Sequence, residues 1–219
     1  MQLKSKIYFY KRFFLKGLFS ISAQAISLPI GGFTVENNKK YKVLLNNFDI
    51  KKIPIGQPPD ENLSEAKLVF NLKKFRTKLI VEQINRENLD ILDFFFEEIG
   101  SEKIDSTLIH SKLSDVLYDV GLVVLDLKTR FNRVRPSVVL SSIDPILDVP
   151  WHSSYPSGHS AQATVVSELM ANLFPNKRRS FDQLAKRIGK NREIAGLHYP
   201  SDTLAGRNLG LYLNRFFVL

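Results

Sequence analysis

Beyond residue 60 the apolar residues of this chain recur at helical spacing. Ala66, Val69, Phe70, Leu72 and Phe75, followed by Leu79, Ile80 and Ile84, predict a helix from Ser64 to about Asn85. Leu89 to Ile99 reads as a second, shorter helix ended by Gly100, with Leu92, Phe94, Phe95 and Phe96 in the core. A third runs from Ser106 to about Arg133. Its buried stripe is Leu108, Leu113, Val116, Leu117, Val120, Val123, Val124 and Leu127. Residues 137–155 form a connector with a short helix, broken at Asp144-Pro145 and Val149-Pro150. A further helix opens on Pro156-Ser157-Gly158-His159 and ends near Phe174-Pro175. Ser180 with Gln183 has the form of a capping box for the next, which carries Arg192. The last helix, from Ser201 to about Phe217, sets Leu204, Leu209, Leu211, Leu213 and Phe216 against exposed Arg207 and Arg215. Residues 1–60 lack this periodicity, and Gly, Asn and Pro pairs punctuate their short apolar runs. The expected architecture is all-α: a helical bundle over residues 61–219 behind an irregular N-terminal arm over residues 1–60.

Composition adds exclusions. The chain has 219 residues, enough for one domain with a sizeable core. It has no cysteine, which rules out disulfides and cysteine-bound metals. His110, His152, His159 and His198 form no zinc spacing, so no metal site is expected. The net charge of +9 favours anionic partners: phosphorylated substrates, anionic lipid or nucleic acid. No segment is long and apolar enough to span a bilayer. The N-terminal stretch has three readings: an arm packed on the domain, a signal peptide cleaved near Ala23-Gln24-Ala25, or a basic aromatic segment on an anionic membrane surface. A periplasmic, secreted or membrane-peripheral location is compatible with these, and they do not exclude a cytoplasmic one. Oligomeric state leaves no signal.

Three stretches carry candidate chemistry. In the first to be read, Pro156 suits a helix's opening residues, where its missing N–H is not needed. Ser157 and Gly158 then offer backbone N–H groups to an anion at the positive end of the dipole. His159 adds a proton donor or acceptor near neutral pH. Alone, this is equally an ordinary capped helix start. Upstream, Pro136 disfavours helix at Arg135, so the helix carrying Lys128 is expected to end about there. Lys128 and Arg135 are two turns apart and expected on nearly one face, where an ammonium and a guanidinium grip one oxyanion. Arg130 and Arg133 point elsewhere, solvated or paired. Downstream, His198 sits at a helix-to-helix corner, with Arg192 before it, Ser201 as N-cap of the next helix, and Asp202 in that helix's first turn. A carboxylate there can fix the histidine tautomer and leave the other nitrogen free to attack. A structural His–Asp pair is the plainer alternative. Trp151 and His152 are read as packing, or as walls of the pocket; His110 has no role.

Together the stretches are specific. Lys128-x6-Arg135-Pro136, then Pro156-Ser157-Gly158-His159, then Arg192-x5-His198-x3-Asp202 resemble the superfamily of type 2 phosphatidic acid phosphatases, bacterial class A acid phosphatases and vanadium haloperoxidases. The resemblance covers about residues 115–210. Residues 195–207, Ala-Gly-Leu-His-Tyr-Pro-Ser-Asp-Thr-Leu-Ala-Gly-Arg, are most similar to the soluble class A phosphatases. One departure is Asn191, where the family usually has serine.

The resemblance implies a metal-independent phosphatase acting on phosphomonoesters, with lipid phosphates and diphosphates open as substrates and no nucleic acid. Lys128, Arg135, Arg192, Ser157 and the Gly158 N–H would hold the phosphoryl oxygens. His198 would attack phosphorus, oriented by Asp202, and His159 would serve as acid and then base. No cofactor is implied, because three cations neutralise the anion. Two alternatives remain: a haloperoxidase in which the same groups hold vanadate, and a non-catalytic anion- or membrane-binding protein.

Overall fold

Helices supply all the regular structure of the described residues. The computed structural model describes residues 41–44, 48–60, 62–100 and 105–219, all within the unit Asn38–Leu219. In chain order the helices are α1 (Asn62–Asn71), α2 (Lys78–Leu89), α3 (Leu92–Ile99), α4 (Ser106–Phe131), α5 (Pro136–Val139), α6 (Gly158–Leu173), α7 (Arg178–Ile194) and α8 (Pro200–Leu213). The expected all-α bundle is what forms. Among the described residues no helix is long and apolar enough to cross a membrane. The signal-peptide and membrane-surface readings of the N-terminal stretch concern residues outside those described.

Several boundaries differ from expectation for local reasons. The helix predicted over residues 64–85 is two helices. Its chain tightens into a 3-10 turn at Leu72–Phe75, leaves the helix at Arg76 and restarts with Thr77 as N-cap, whose hydroxyl accepts the Ile80 N–H at 3.3 Å. Arg76 is drawn off to cap another helix, donating to the carbonyls of Ile194 (2.8 Å) and Asp144 (2.6 Å). The apolar stripe continued across this break because Leu79 and Phe75 lie on the outside, not in the core. Leu108 and Leu204 are likewise exposed, each in the first turns of its helix. α7 begins at Arg178, before the Ser180–Gln183 pair, which therefore caps nothing.

At the centre lies α6, buried on nearly all sides through Ala161, Ala163, Val165, Val166, Leu169 and Met170. It packs against α7, α8 and α4. Small residues allow this. A Cβ at Gly206 would stand 2.3 Å from the Ser157 carbonyl oxygen, and one at Gly210 2.6 Å from that of Ala161. Only glycine lets the α8 backbone come so close. The consequence for function is direct: the first turns of α6 and α8 are brought side by side. Ser157 N–H donates to the Asp202 carbonyl at 3.0 Å, and Ser160 Oγ to that of Thr203 at 2.8 Å.

In front of the bundle, the buried Asp119 carboxylate on α4 accepts three successive backbone N–H groups. Those of Lys42, Val43 and Leu44 lie 2.8, 2.7 and 2.9 Å away. Charge-assisted bonds of this kind contribute roughly 1.5–3 kcal/mol each, so they pin this segment to α4.

Candidate active site

The stretch from Lys128 to Pro136 reaches the site by a different route from the one its spacing suggests. Asn132 adopts left-handed geometry (φ 44°) and ends α4 at Phe131, short of the expected boundary. Residues 133–135 then run extended. Arg133 N–H donates to Ser153 Oγ (2.8 Å) and Ser154 N–H to the Arg133 carbonyl (2.9 Å). Pro136 opens α5 and holds Arg135 extended, as the proline requires. Lys128 and Arg135 therefore do not share a helix face. They meet across the 152–154 segment instead: both donate to the Ser153 carbonyl, Lys128 Nζ at 2.7 Å and Arg135 Nη2 at 3.2 Å. Lys128 also holds the Ser154 carbonyl at 2.9 Å.

Ser157 is the N-cap of α6, its hydroxyl accepting the Ser160 N–H at 3.4 Å. Its own N–H is bound to Asp202, so it is not the free donor that the sequence suggested. Gly158 leads the helix, where no preceding helical carbonyl can take its N–H. His159 follows, half-buried.

The third stretch begins where α7 ends. Gly196, at φ 84°, closes the helix with left-handed geometry. Tyr199, not Ser201, is the N-cap of α8, and Asp202 is its third residue. Asp202 Oδ2 accepts the Tyr199 N–H at 3.0 Å and faces His198 Nδ1 at 3.2 Å. On the other side of the ring, Arg135 Nη1 lies 3.2 Å from Nε2. A guanidinium only donates, so Nε2 carries the lone pair and Nδ1 the proton. Arg135 Nη1 also holds the Leu197 carbonyl (2.8 Å), which locks the corner to the upstream stretch.

Arg192 is 2% exposed. Its Nη2 donates to Asn88 Oδ1 at 3.2 Å, while Nε and Nη1 are buried without a partner among the described residues. Asn191 turns the other way. Its Nδ2 lies 2.9 and 3.0 Å from the two oxygens of buried Glu87, so its donor capacity is taken up behind the site. Glu87 and Asn88 on α2 were not anticipated, and neither was the depth of Arg133. That residue is paired, as one reading had it, but is buried against Asp202 at 2.7 Å. Trp151 is 85% exposed, with its ring edge-on to that of His152 at 5.7 Å, and His152 Nδ1 sits 3.1 Å from Arg135 Nη2.

The electrostatics are those of a crowded cationic site. Burial, then the neighbouring Arg135 charge, holds the Lys128 ammonium well below its ordinary range. Burial lowers Arg135 and Arg192 to about 10. His159 and His198 are pushed well below 6.5 by burial, with Arg192 the largest charge acting on the first and Arg135 on the second. Burial and Lys128 lower His152 to about 4. An unfolded histidine takes its proton near pH 6.5 and folded His152 only near 4, so its contribution to stability is lost as pH falls through that window. Between pH 6.5 and 4 the wild type should lose roughly 1–3 kcal/mol more stability than His152→Asn, as read by urea denaturation. Parallel pH dependences in the two proteins would contradict this.

These features sit in a known family. The family model described as "PAP2 superfamily" matches residues 113–219. A lipid A 1-phosphatase from Rhizobium johnstonii is 34% identical over 98 residues, covering 43% of this chain and 40% of that protein. A non-specific acid phosphatase from Providencia stuartii is 27% identical over 125 residues, 53% of this chain and 50% of that protein. The match thus spans 40% and 50% of the length of these relatives. Among solved structures, a bacterial vanadium-dependent iodoperoxidase shares the fold, with TM-score 0.59 and 17% identity over 87% of this chain and 63% of that one. Residues 113–219 are a PAP2 superfamily domain.

Proposed function

We propose that the chain is a phosphatase that transfers the phosphoryl group of a phosphomonoester to His198 and then to water, without a metal ion. The observation that carries this reading is the buried, half-unpartnered Arg192 guanidinium. Two nitrogens with three N–H groups and nothing to bond are costly in a protein interior. A tetrahedral oxyanion supplies the acceptors, and Lys128 and Arg135 add the remaining positive charge.

His198 Nε2 attacks phosphorus with its lone pair. The P–O ester bond breaks, and its electrons leave with the alkoxide. The imidazolium formed is stabilised by Asp202 through Nδ1–H. His159 gives its proton to the alkoxide, then takes one from the water that attacks the phosphohistidine, releasing inorganic phosphate and free His198. Unliganded, His159 is neutral, because burial and the nearby charges of Arg192, Lys128 and Arg135 oppose its proton. A dianionic phosphate cancels that field. The substrate therefore arms its own acid.

The phosphatase relatives in the family support this reaction class, and the lipid A 1-phosphatase among them extends the substrate class to phosphates carried on lipids.

Hydrolysis of a chromogenic aryl phosphate by the purified protein in EDTA tests the reading. Turnover that survives EDTA and is inhibited by vanadate, which mimics the trigonal-bipyramidal phosphoryl group, is the expected result. Absence of turnover from acidic to neutral pH would overturn it. Vanadate-dependent halide oxidation would then assign the haloperoxidase reaction, and failure of both assays an anion-binding role.

A further inference from the structure

Asp202 can orient His198 only while its carboxylate is itself ionised and held in one rotation. Its side chain is 0% exposed, and burial alone pushes the carboxyl towards its protonated form, against which Arg133 acts most strongly. Its two oxygens are divided. Oδ2 faces His198 and the Tyr199 N–H, and Oδ1 takes Arg133 Nη1 at 2.7 Å.

Arg133 has no slack. Nε donates to Asn62 Oδ1 (2.8 Å), Nη1 also to Ser201 Oγ (2.6 Å), and Nη2 to Glu65 Oε2 (2.6 Å). Its guanidinium carbon lies 4.0 Å from the centroid of the Tyr199 ring. Glu65 in turn receives the Ser201 N–H at 2.9 Å on its other oxygen. The planar fork, stacked on one side and bonded at every nitrogen, fixes where Oδ1 is, and hence where Oδ2 points. Other charged or titratable groups face Asp202: Lys128 from α4, Arg135 from the extended segment, and Tyr155 ahead of α6. None of these is bonded to a carboxylate oxygen in the way Arg133 is.

We propose that Arg133, braced by Glu65, is a positioning residue for the reaction, holding Asp202 so that His198 keeps its proton on Nδ1 and its lone pair on Nε2. The inference rests on the proposed roles of His198 and Asp202. It also extends the functional unit beyond residues 113–219, since Asn62 and Glu65 belong to α1.

A double-mutant cycle separates this role from simple fold maintenance. Arg133→Met, Asp202→Asn and the double variant are assayed with an aryl phosphate, and their thermal melts are recorded. Arg133→Met should lower kcat by about 10²-fold while KM stays within about threefold, because the cations that hold phosphate are untouched. Added to Asp202→Asn, it should cost less than about threefold more, since its effect passes through Asp202. Losses that multiply, or an unchanged kcat in Arg133→Met, would overturn the proposal. If Arg133→Met does not fold, Arg133→Lys takes its place in the cycle. It keeps the charge but not the fork, with a smaller loss and the same non-additivity expected. A wild-type kcat in Asp202→Asn would overturn the role of Asp202, and this proposal with it. Independently of turnover, the hydrogen-bonded Nδ1 proton of His198 should give a downfield proton NMR signal that is absent in His198→Ala. Its unaltered persistence in the Arg133 variant would also overturn the proposal.

Discussion

Replacing His198 with alanine is expected to lower kcat for an aryl phosphate by at least about 10⁴-fold, with the helical fold retained. The loss is large because His198 has its Nε2 lone pair beside Arg135 and its other ring nitrogen held by the Asp202 carboxylate. His159 is crowded by Arg192 and the same charges, but among the described residues no carboxylate is bonded to its ring. The fold should survive because the corner does not depend on the imidazole. Asp202 keeps the Tyr199 N–H and Arg133, and Arg135 keeps the Leu197, His152 and Ser153 carbonyls. A circular dichroism spectrum like that of the wild type alongside lost turnover is the expected pair of observations. Wild-type-like turnover would remove His198 from the nucleophile's position.

Arg135→Lys is the second large effect, although it conserves charge. Arg135 joins three pieces of the site: the carbonyls of the 152–153 segment, the Leu197 carbonyl and His198 Nε2. One ammonium cannot reach all three, and its three donors lack the planar geometry that bridges them. The expected fall in kcat/KM is about 10²–10³-fold, comparable to removing a preorganised oxyanion donor. The same substitution should weaken inhibition by vanadate, because the analogue uses the same donors. An unchanged kcat/KM would show that Arg135 serves the fold alone.

Much of this was legible in the sequence, for reasons that are local. Helical periodicity and Pro136 act within a turn of their own position, so the all-α architecture and the corner at His198 could be read directly, with the cap of α8 placed two residues late. The Asp202–His198 pair is four residues apart and needed only a helix start to form. Boundaries were less legible. Asparagine tolerates left-handed geometry better than other non-glycine residues, but Asn132 was not read as a stop, and the end of α4 there undid the shared-face argument for Lys128 and Arg135, although the two still meet. Thr77 was the one available sign of the break between α1 and α2.

What could not be read are pairings made by the tertiary fold. Arg133 meets Glu65 across 68 residues, and Asn191 meets Glu87 across 104. Asn191 stands where the family usually has serine. In the folded chain that amide faces a buried carboxylate, a partner that no spacing rule connects to it.

The central claim is the covalent intermediate on His198, and rapid-quench trapping with phosphorus-labelled aryl phosphate tests it most directly. The wild type should accumulate a phosphoryl group on His198 that is labile to acid and stable to alkali, and His198→Ala should show none. Turnover by the wild type with no label on the protein within the first cycle, or with the label on another residue, would contradict it.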